Sequence, residues 1–200
     1  RTMLDWYQIL ERNTTLQRLT LSSPTLGLEC LRRLTSLLSA SSTKLSQLDI
    51  SHTNMSGNKI MLIAQMLESN TTLKGLNVSR AHLNGRDGSL LARGLQSNST
   101  LQRLTLNDNN VWRNPPNAAF VAFQIMLRHN TALEYLDLSD NGFDIQVSDY
   151  RYSKFFEGLL RNTTLRVVKV SNQANMFIDT LQTIFGQTPR SLDPVPYNLF

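Results

Sequence analysis

Several features that would point to an extracellular or membrane protein are missing from this sequence. Its 200 residues include one cysteine, Cys30, which cannot form an internal disulfide or a cysteine-based zinc site by itself. The lack of internal disulfides favours a reducing compartment, and we expect the chain to be cytoplasmic. No stretch approaches the roughly 18 consecutive apolar residues of a membrane span, so no span is expected.

The motifs of common enzymes are also missing. There is no Gly-x-x-x-x-Gly-Lys phosphate loop, no Gly-x-Ser-x-Gly elbow and no His-Glu-x-x-His helix. Its histidines, His52, His82 and His129, have no cysteine or carboxylate partners at metal-ligand spacing. We therefore predict a chain that is not an enzyme, with no catalytic residue, no cofactor and no metal.

Basic charge is present, but it is not concentrated. The net charge is +5 and the isoelectric point is about 9.7. Lysine and arginine are scattered, and Arg32–Arg33 is the only adjacent pair. A nucleic-acid-binding arm would need a denser basic run, so we expect a solvated surface and no nucleic-acid partner.

What the sequence does contain is a repeat. One short phrase, Asn-Thr-Thr-Leu-x-x-Leu-x-Leu in its fullest form, recurs six times with variations. Its first leucines lie 29, 28, 28, 32 and 32 residues apart, at Leu16, Leu45, Leu73, Leu101, Leu133 and Leu165. The alternation of apolar residues in each phrase predicts a short strand with one buried face. The predicted strands lie near 17–21, 46–50, 74–78, 102–106, 134–138 and 166–170.

A helical pattern precedes each phrase. In five repeats, apolar residues stand ten and six positions before the first leucine, as at Ile63 and Leu67 or Leu91 and Leu95. A spacing of four places such a pair on one face of a helix. The repeating unit is therefore helix, turn, strand and loop, and stacked units would bury one continuous core.

The Leu-x-x-Leu-x-Leu phrase with its helical repeat resembles the ribonuclease-inhibitor-like leucine-rich repeats, as in NOD-like receptors and Ran GTPase-activating proteins. The resemblance implies an α/β horseshoe solenoid of about six repeats over residues 1–186. Parallel strands would line its concave face and helices its convex face. In such repeats an asparagine usually stands at one position after each strand, and we call it the ladder asparagine. Here this position holds an asparagine only at Asn109 and Asn141. Residues 187–200 depart from the repeat, and we expect them to form a capping tail.

The asparagine of the Asn-Thr-Thr phrase has two interpretations. Asn13, Asn70, Asn98 and Asn162 fit the glycosylation pattern Asn-x-Ser/Thr. The same asparagine recurs where a helix ends, however, and a left-handed residue often closes the last helical turn. Asn130 occupies this place without fitting the pattern, so we favour the structural role.

Side chains between the strand leucines are expected to face the concave side. Tyrosine and arginine are enriched at the energetic centres of interfaces, so we predict a partner site here. Its candidate residues are Arg18, Asp49, Arg103, Tyr135 and Asp137. The two 32-residue repeats add loop candidates, Trp112, Tyr150 and Tyr152. Alternatively, the concave residues are merely solvated, and Trp112 fills a gap over a neighbouring helix.

The predicted function is a non-catalytic protein–protein interaction module. The family resemblance is compatible with part of an innate-immune-type receptor, a scaffold or an effector. The alternative that it implies is a GTPase regulator with a functional loop arginine, for which Arg80 and Arg86 are the candidates.

Overall fold

Six helices alternate with six strands in a computed structural model that describes residues 3–23, 26–40, 43–112, 116–142 and 150–170. The helices are α1 (Met3–Arg12), α2 (Leu28–Ser39), α3 (Asn58–Ser69), α4 (Gly85–Gln96), α5 (Pro116–His129) and α6 (Tyr150–Arg161). The strands are β1 (Arg18–Thr20), β2 (Gln47–Asp49), β3 (Gly75–Asn77), β4 (Arg103–Thr105), β5 (Tyr135–Asp137) and β6 (Val167–Lys169). None of the described helices is long and apolar enough to cross a membrane.

The six strands form one parallel sheet in chain order. Register is constant, so that equivalent residues of successive repeats stand side by side, as Leu48, Leu76 and Leu104 do. The predicted α/β class with parallel strands is confirmed, whereas the horseshoe curvature stays a prediction. The predicted cap at 187–200 lies outside the described residues.

Each strand spans three residues, inside the longer segment that the alternation predicts. Side-chain hydrogen bonds form turns at both ends of the strands. Asn98 Oδ1 accepts a hydrogen bond from the backbone N–H of Leu101, two residues before β4. Asp137 Oδ1 accepts one from the N–H of Ser139, two residues after β5. Backbone pairing between repeats continues past the strands, since the N–H of Asp108 donates to the carbonyl of Ser139 at 2.9 Å.

One continuous core fills the space between the sheet and the helices. The middle residue of each central strand is buried, and Leu76, Leu104 and Leu136 are fully so. The helical pairs meet them, with Ile63 and Leu91 fully buried as well. Each helix packs against the helix of the next repeat. Burial of a leucine contributes roughly 1.5–3 kcal/mol, so stacking is the main source of stability.

The asparagine that follows five of the six helices is structural, but not through a left-handed backbone. Asn70 has an extended backbone, with φ of −72° and ψ of 131°, so the left-handed prediction is wrong for it. The asparagine side chain instead makes hydrogen bonds to its own turn and to the preceding repeat. Asn98 accepts from the N–H groups of Thr100 and Leu101 at 3.0 and 2.7 Å. It donates to the carbonyls of Leu67 and Asn70 in the preceding repeat at 2.7 and 3.1 Å.

The ladder asparagine works in the same way at the other end of the strand. Asn109 accepts from the N–H groups of Ala81 and Leu83 at 2.9 and 3.0 Å. It also donates to the carbonyls of Val78 and Leu106. In the repeat of β2, where the asparagine is missing, the hydroxyl of Thr53 donates to a carbonyl of the preceding repeat.

Candidate partner-binding surface

The first and third residues of each strand lie on the side of the sheet away from the leucine core, and we call this surface the sheet face. The first-position residues are Arg18, Gln47, Gly75, Arg103, Tyr135 and Val167. The third-position residues are Thr20, Asp49, Asn77, Thr105, Asp137 and Lys169. The parallel register places each residue beside its counterpart in the next strand.

Four of these side chains form a connected group around one ring, which we call the tyrosine cluster: Arg103, Tyr135, Asp137 and Lys169. The guanidinium carbon of Arg103 lies 4.2 Å from the centroid of the Tyr135 ring. The Tyr135 hydroxyl donates to Asp137 Oδ2 at 3.1 Å. Lys169 Nζ lies 3.9 Å from the same carboxylate oxygen and 5.7 Å from the ring centroid. The cluster thus joins a cation–π stack to an ion pair.

Both predicted aspartates already accept hydrogen bonds from neighbouring residues of the chain. Asp137 accepts from the N–H and the hydroxyl of Ser139 at 3.1 and 2.7 Å, and it is buried. Asp49 accepts from the N–H of Ser51 at 2.9 Å and from the amide of Asn77 at 3.1 Å. A carboxylate with this many donors has few acceptor sites left for a partner.

The phenol of Tyr135 is kept neutral by its surroundings. Burial raises its pKa above the usual 10.0, and the negative charge of Asp137 raises it further, whereas Lys169 acts in the opposite direction. The neutral phenol retains the proton that it donates to Asp137.

The structure brings three of the five predicted sheet-face residues together and leaves two apart. Arg103, Tyr135 and Asp137 are in the tyrosine cluster, whereas Arg18 and Asp49 lie in β1 and β2, on the other side of Gly75. The side chain of Gln47 covers Gly75, where an added Cβ would collide with it. Lys169 was not among the predicted site residues, although its register position beside Asp137 is a signal that could have revealed it.

The three candidate residues predicted to lie in loops differ in their positions in the structure. Trp112 is 3% exposed, and its ring stacks on Phe120 with centroids 4.4 Å apart. It also meets Phe155 edge-on at 5.4 Å. These contacts favour the gap-filling interpretation of Trp112 over a partner contact. Tyr150 and Tyr152 belong to the first turn of α6 rather than to a loop, and their side chains lie outside the described residues.

A polar cleft of about 490 Å³ lies at the loop edge of the sheet. Its lining includes His52, Arg80, His82, Asp108 and Asp140, all with φ between 52° and 58°. Arg80 Nε donates to Asp108 Oδ2 at 2.7 Å, so this loop arginine is already paired. In the described part of the chain, no group of three or more His, Cys, Asp or Glu side chains could hold a metal.

The chain is similar to solved structures. No family model matches it, and neither does any curated protein. It is similar to leiomodin-1 actin-binding site 2, at 20% identity and a TM-score of 0.63, over 92% of this chain and 97% of that one. It is also similar to the tropomodulin C-terminal domain of Caenorhabditis elegans, at 15% identity and a TM-score of 0.60, over 90% and 99%. These likenesses show the fold.

The resemblance to the ribonuclease-inhibitor-like family is wrong, because the structural neighbours are the leiomodin and tropomodulin domains. The Leu-x-x-Leu-x-Leu phrase gives one leucine before each short strand and an alternation within it, so it identifies the kind of repeat and not the family. The GTPase-regulator alternative came from that resemblance and loses its basis. Nothing else supports a role of Arg80 or Arg86 toward a GTPase.

Proposed function

We propose that this chain is a non-catalytic protein-binding domain and that its partner is an actin subunit. The observation that carries the proposal is the similarity to leiomodin-1 actin-binding site 2, which extends over 92% of this chain. The likeness includes 97% of that domain, so a whole binding unit is compared rather than a shared fragment. An actin partner and the single cysteine both favour a cytoplasmic location.

We place the contact on the sheet face, centred on the tyrosine cluster. Tyrosine and arginine dominate the energetic centres of protein interfaces because they combine a large apolar area with directional hydrogen bonding. Arg103 and Tyr135 are held against each other in advance, so that little side-chain freedom remains to be lost on binding. Arg18 and Asp49 extend the proposed contact along the sheet.

The test is co-sedimentation with filamentous actin, with monomeric actin measured in parallel by sedimentation velocity. We expect saturable binding to at least one of the two forms. The double variant Arg103→Ala with Tyr135→Ala should weaken it by at least tenfold, since hot-spot truncations cost about 2 kcal/mol or more. Circular dichroism and urea unfolding establish that the variant is folded.

A double variant on the helix layer provides the matched control. Arg93→Ala with Ile125→Ala removes one arginine and one exposed apolar side chain from α4 and α5. We expect this control to bind as the wild type does. If neither form of actin binds the wild-type chain, actin is the wrong partner. If both double variants lose binding equally, the sheet face is the wrong surface.

A further inference from the structure

Arg103 combines two features, the lack of an acidic partner in the described ranges and a fixed position. Its guanidinium has no carboxylate within ion-pair distance in the described ranges, whereas the arginines at 33, 80 and 166 each have one. It is nevertheless fixed, because it stacks on the Tyr135 ring at 4.2 Å. Stacking uses the flat face of the guanidinium and leaves its N–H edge for other acceptors. A positioned set of donors without an acceptor is therefore present on the sheet face.

The nearest carboxylate of the cluster does not neutralise Arg103. Asp137 is occupied by the hydroxyl of Tyr135, by the N–H and hydroxyl of Ser139, and by Lys169 at 3.9 Å. Its negative charge is thus balanced on the side of β6. The positive charge that remains at the centre of the sheet face belongs to Arg103, in a chain whose net charge is +5.

The strand register shows which residues flank Arg103. Tyr135 stands on one side of Arg103, and Gly75 stands on the other. Gly75 has no side chain of its own, and the terminal amide of Gln47 lies over it. A group that approaches Arg103 from this side meets no side chain from the adjacent residue, Gly75. The donors for an acidic group at this place are therefore those of Arg103 itself.

We infer that the sheet face recognises an acidic segment of its partner, with one carboxylate of that segment bound by Arg103. Guanidinium and carboxylate match in a two-pronged geometry that an ammonium group cannot reproduce. Charge complementarity commits the surface to an acidic protein segment. The inference rests on the proposed function in one respect, namely that the sheet face is the binding surface.

The experiment uses a hexaglutamate peptide as the probe and the complete chain labelled with ¹⁵N. We expect a saturable, salt-sensitive shift of the Arg103 Nε–H signal and none with hexalysine. Arg103→Gln should weaken hexaglutamate binding on the order of tenfold, because a charged hydrogen bond of that strength is lost. Arg103→Lys should also weaken it, since the charge remains but the planar pair of donors does not.

Two further variants separate recognition from bulk charge. Tyr135→Leu removes the ring beneath Arg103 and leaves every charge in place, so it should weaken hexaglutamate binding about threefold, because the stacking that positions the guanidinium is lost. Arg93→Gln removes an equal charge from the exposed side of α4, away from the sheet face, and should have little effect. If Arg93→Gln and Arg103→Gln weaken binding equally, or if Arg103→Gln binds as the wild type does, the inference is overturned.

The outcome does not depend on actin. Hexaglutamate binding that requires Arg103, in a chain that binds no actin, supports the inference and removes only the proposed partner. Actin binding that is unchanged in Arg103→Gln, together with unchanged hexaglutamate binding, overturns the inference and leaves the proposed function standing.

Discussion

At the scale of single residues, the buried asparagines after the helices are positions where we expect substitution to cost much stability. Asn98 is 4% exposed and satisfies two N–H groups of its own turn and two carbonyls of the preceding repeat. Asn98→Ala would leave buried backbone groups without partners. We expect the free energy of unfolding to fall by about 3 kcal/mol, measured by urea denaturation.

Asn54 is the matched control, because it also fits the glycosylation pattern but is exposed. Its side chain accepts only from the N–H and hydroxyl of Ser56, two residues away. Asn54→Ala should cost roughly 0.5 kcal/mol. Similar losses for the two variants would show that the hydrogen bonds of Asn98 to the preceding repeat contribute little to stability.

The raised pKa of Tyr135 predicts a pH effect. Because burial and Asp137 disfavour the phenolate in the folded chain, the neutral phenol stabilises the fold. This contribution is complete below the ordinary pKa of 10.0 and is lost as the pH rises through the higher pKa of the folded state. We expect the wild-type free energy of unfolding to fall in this alkaline range relative to that of Tyr135→Phe.

The comparison uses urea unfolding of both chains between pH 8 and pH 11. Tyr135→Phe keeps the ring but cannot ionise, so it cancels the titration of all other groups. The difference between the two chains should be constant below pH 10 and should shift in favour of Tyr135→Phe above it. Parallel curves over the whole range would contradict the burial of the phenol.

At the scale of the elements, the contact of α4 with α3 depends on a glycine. A Cβ added to Gly94 would collide with the backbone carbonyl of Ala64. The Cα of Ala64 would also lie only 3.0 Å from the added Cβ. Alanine normally stabilises a helix relative to glycine by about 1 kcal/mol. Because the obstacle is backbone and cannot move aside, we expect Gly94→Ala to destabilise the chain by about 2 kcal/mol instead.

Thermal and urea unfolding of Gly94→Ala test this prediction. Gln96→Ala, on the exposed side of the same helix, is the control and should change stability by less than about 0.5 kcal/mol. A more stable Gly94→Ala chain would show that α3 and α4 can separate slightly without loss.

The elements also mark the limit of what the sequence predicts. Periodicity is enough to place six helices and six strands, because leucine spacing alone states which residues face the core. It could not reveal the close approach at Gly94, which depends on the distance between two helices. It also assigned Trp112 to a loop surface as one of two interpretations, since burial between Phe120 and Phe155 requires the three-dimensional packing.

The candidate site was predictable to a similar depth. Alternation places Arg103, Tyr135 and Asp137 on the sheet face, and their grouping follows from the register. The stacking of Arg103, the internal pairing of Asp137 and the part of Lys169 depend on side-chain rotamers, which the sequence does not specify. The repeat phrase could not identify the family, because it encodes only the geometry of the repeat.

At the scale of the whole molecule, the helices and strands of the described ranges contact only those of neighbouring repeats, so stability should vary along the chain. Leu104 is fully buried at the centre of the core, whereas Leu19 in β1 is only partly buried at one edge of the sheet. We expect Leu104→Ala to cost about 3 kcal/mol and Leu19→Ala about 1 kcal/mol, measured by urea unfolding.

Hydrogen exchange distinguishes local from global effects of these two variants. Leu104→Ala should reduce amide protection in β3, β4 and β5, because both neighbouring repeats pack on the cavity. Leu19→Ala should reduce it in β1 and β2 while β5 keeps the wild-type rates. Equal loss of protection in β5 for both variants would mean that the chain unfolds as one unit. Nearest-neighbour stacking would then not govern its stability.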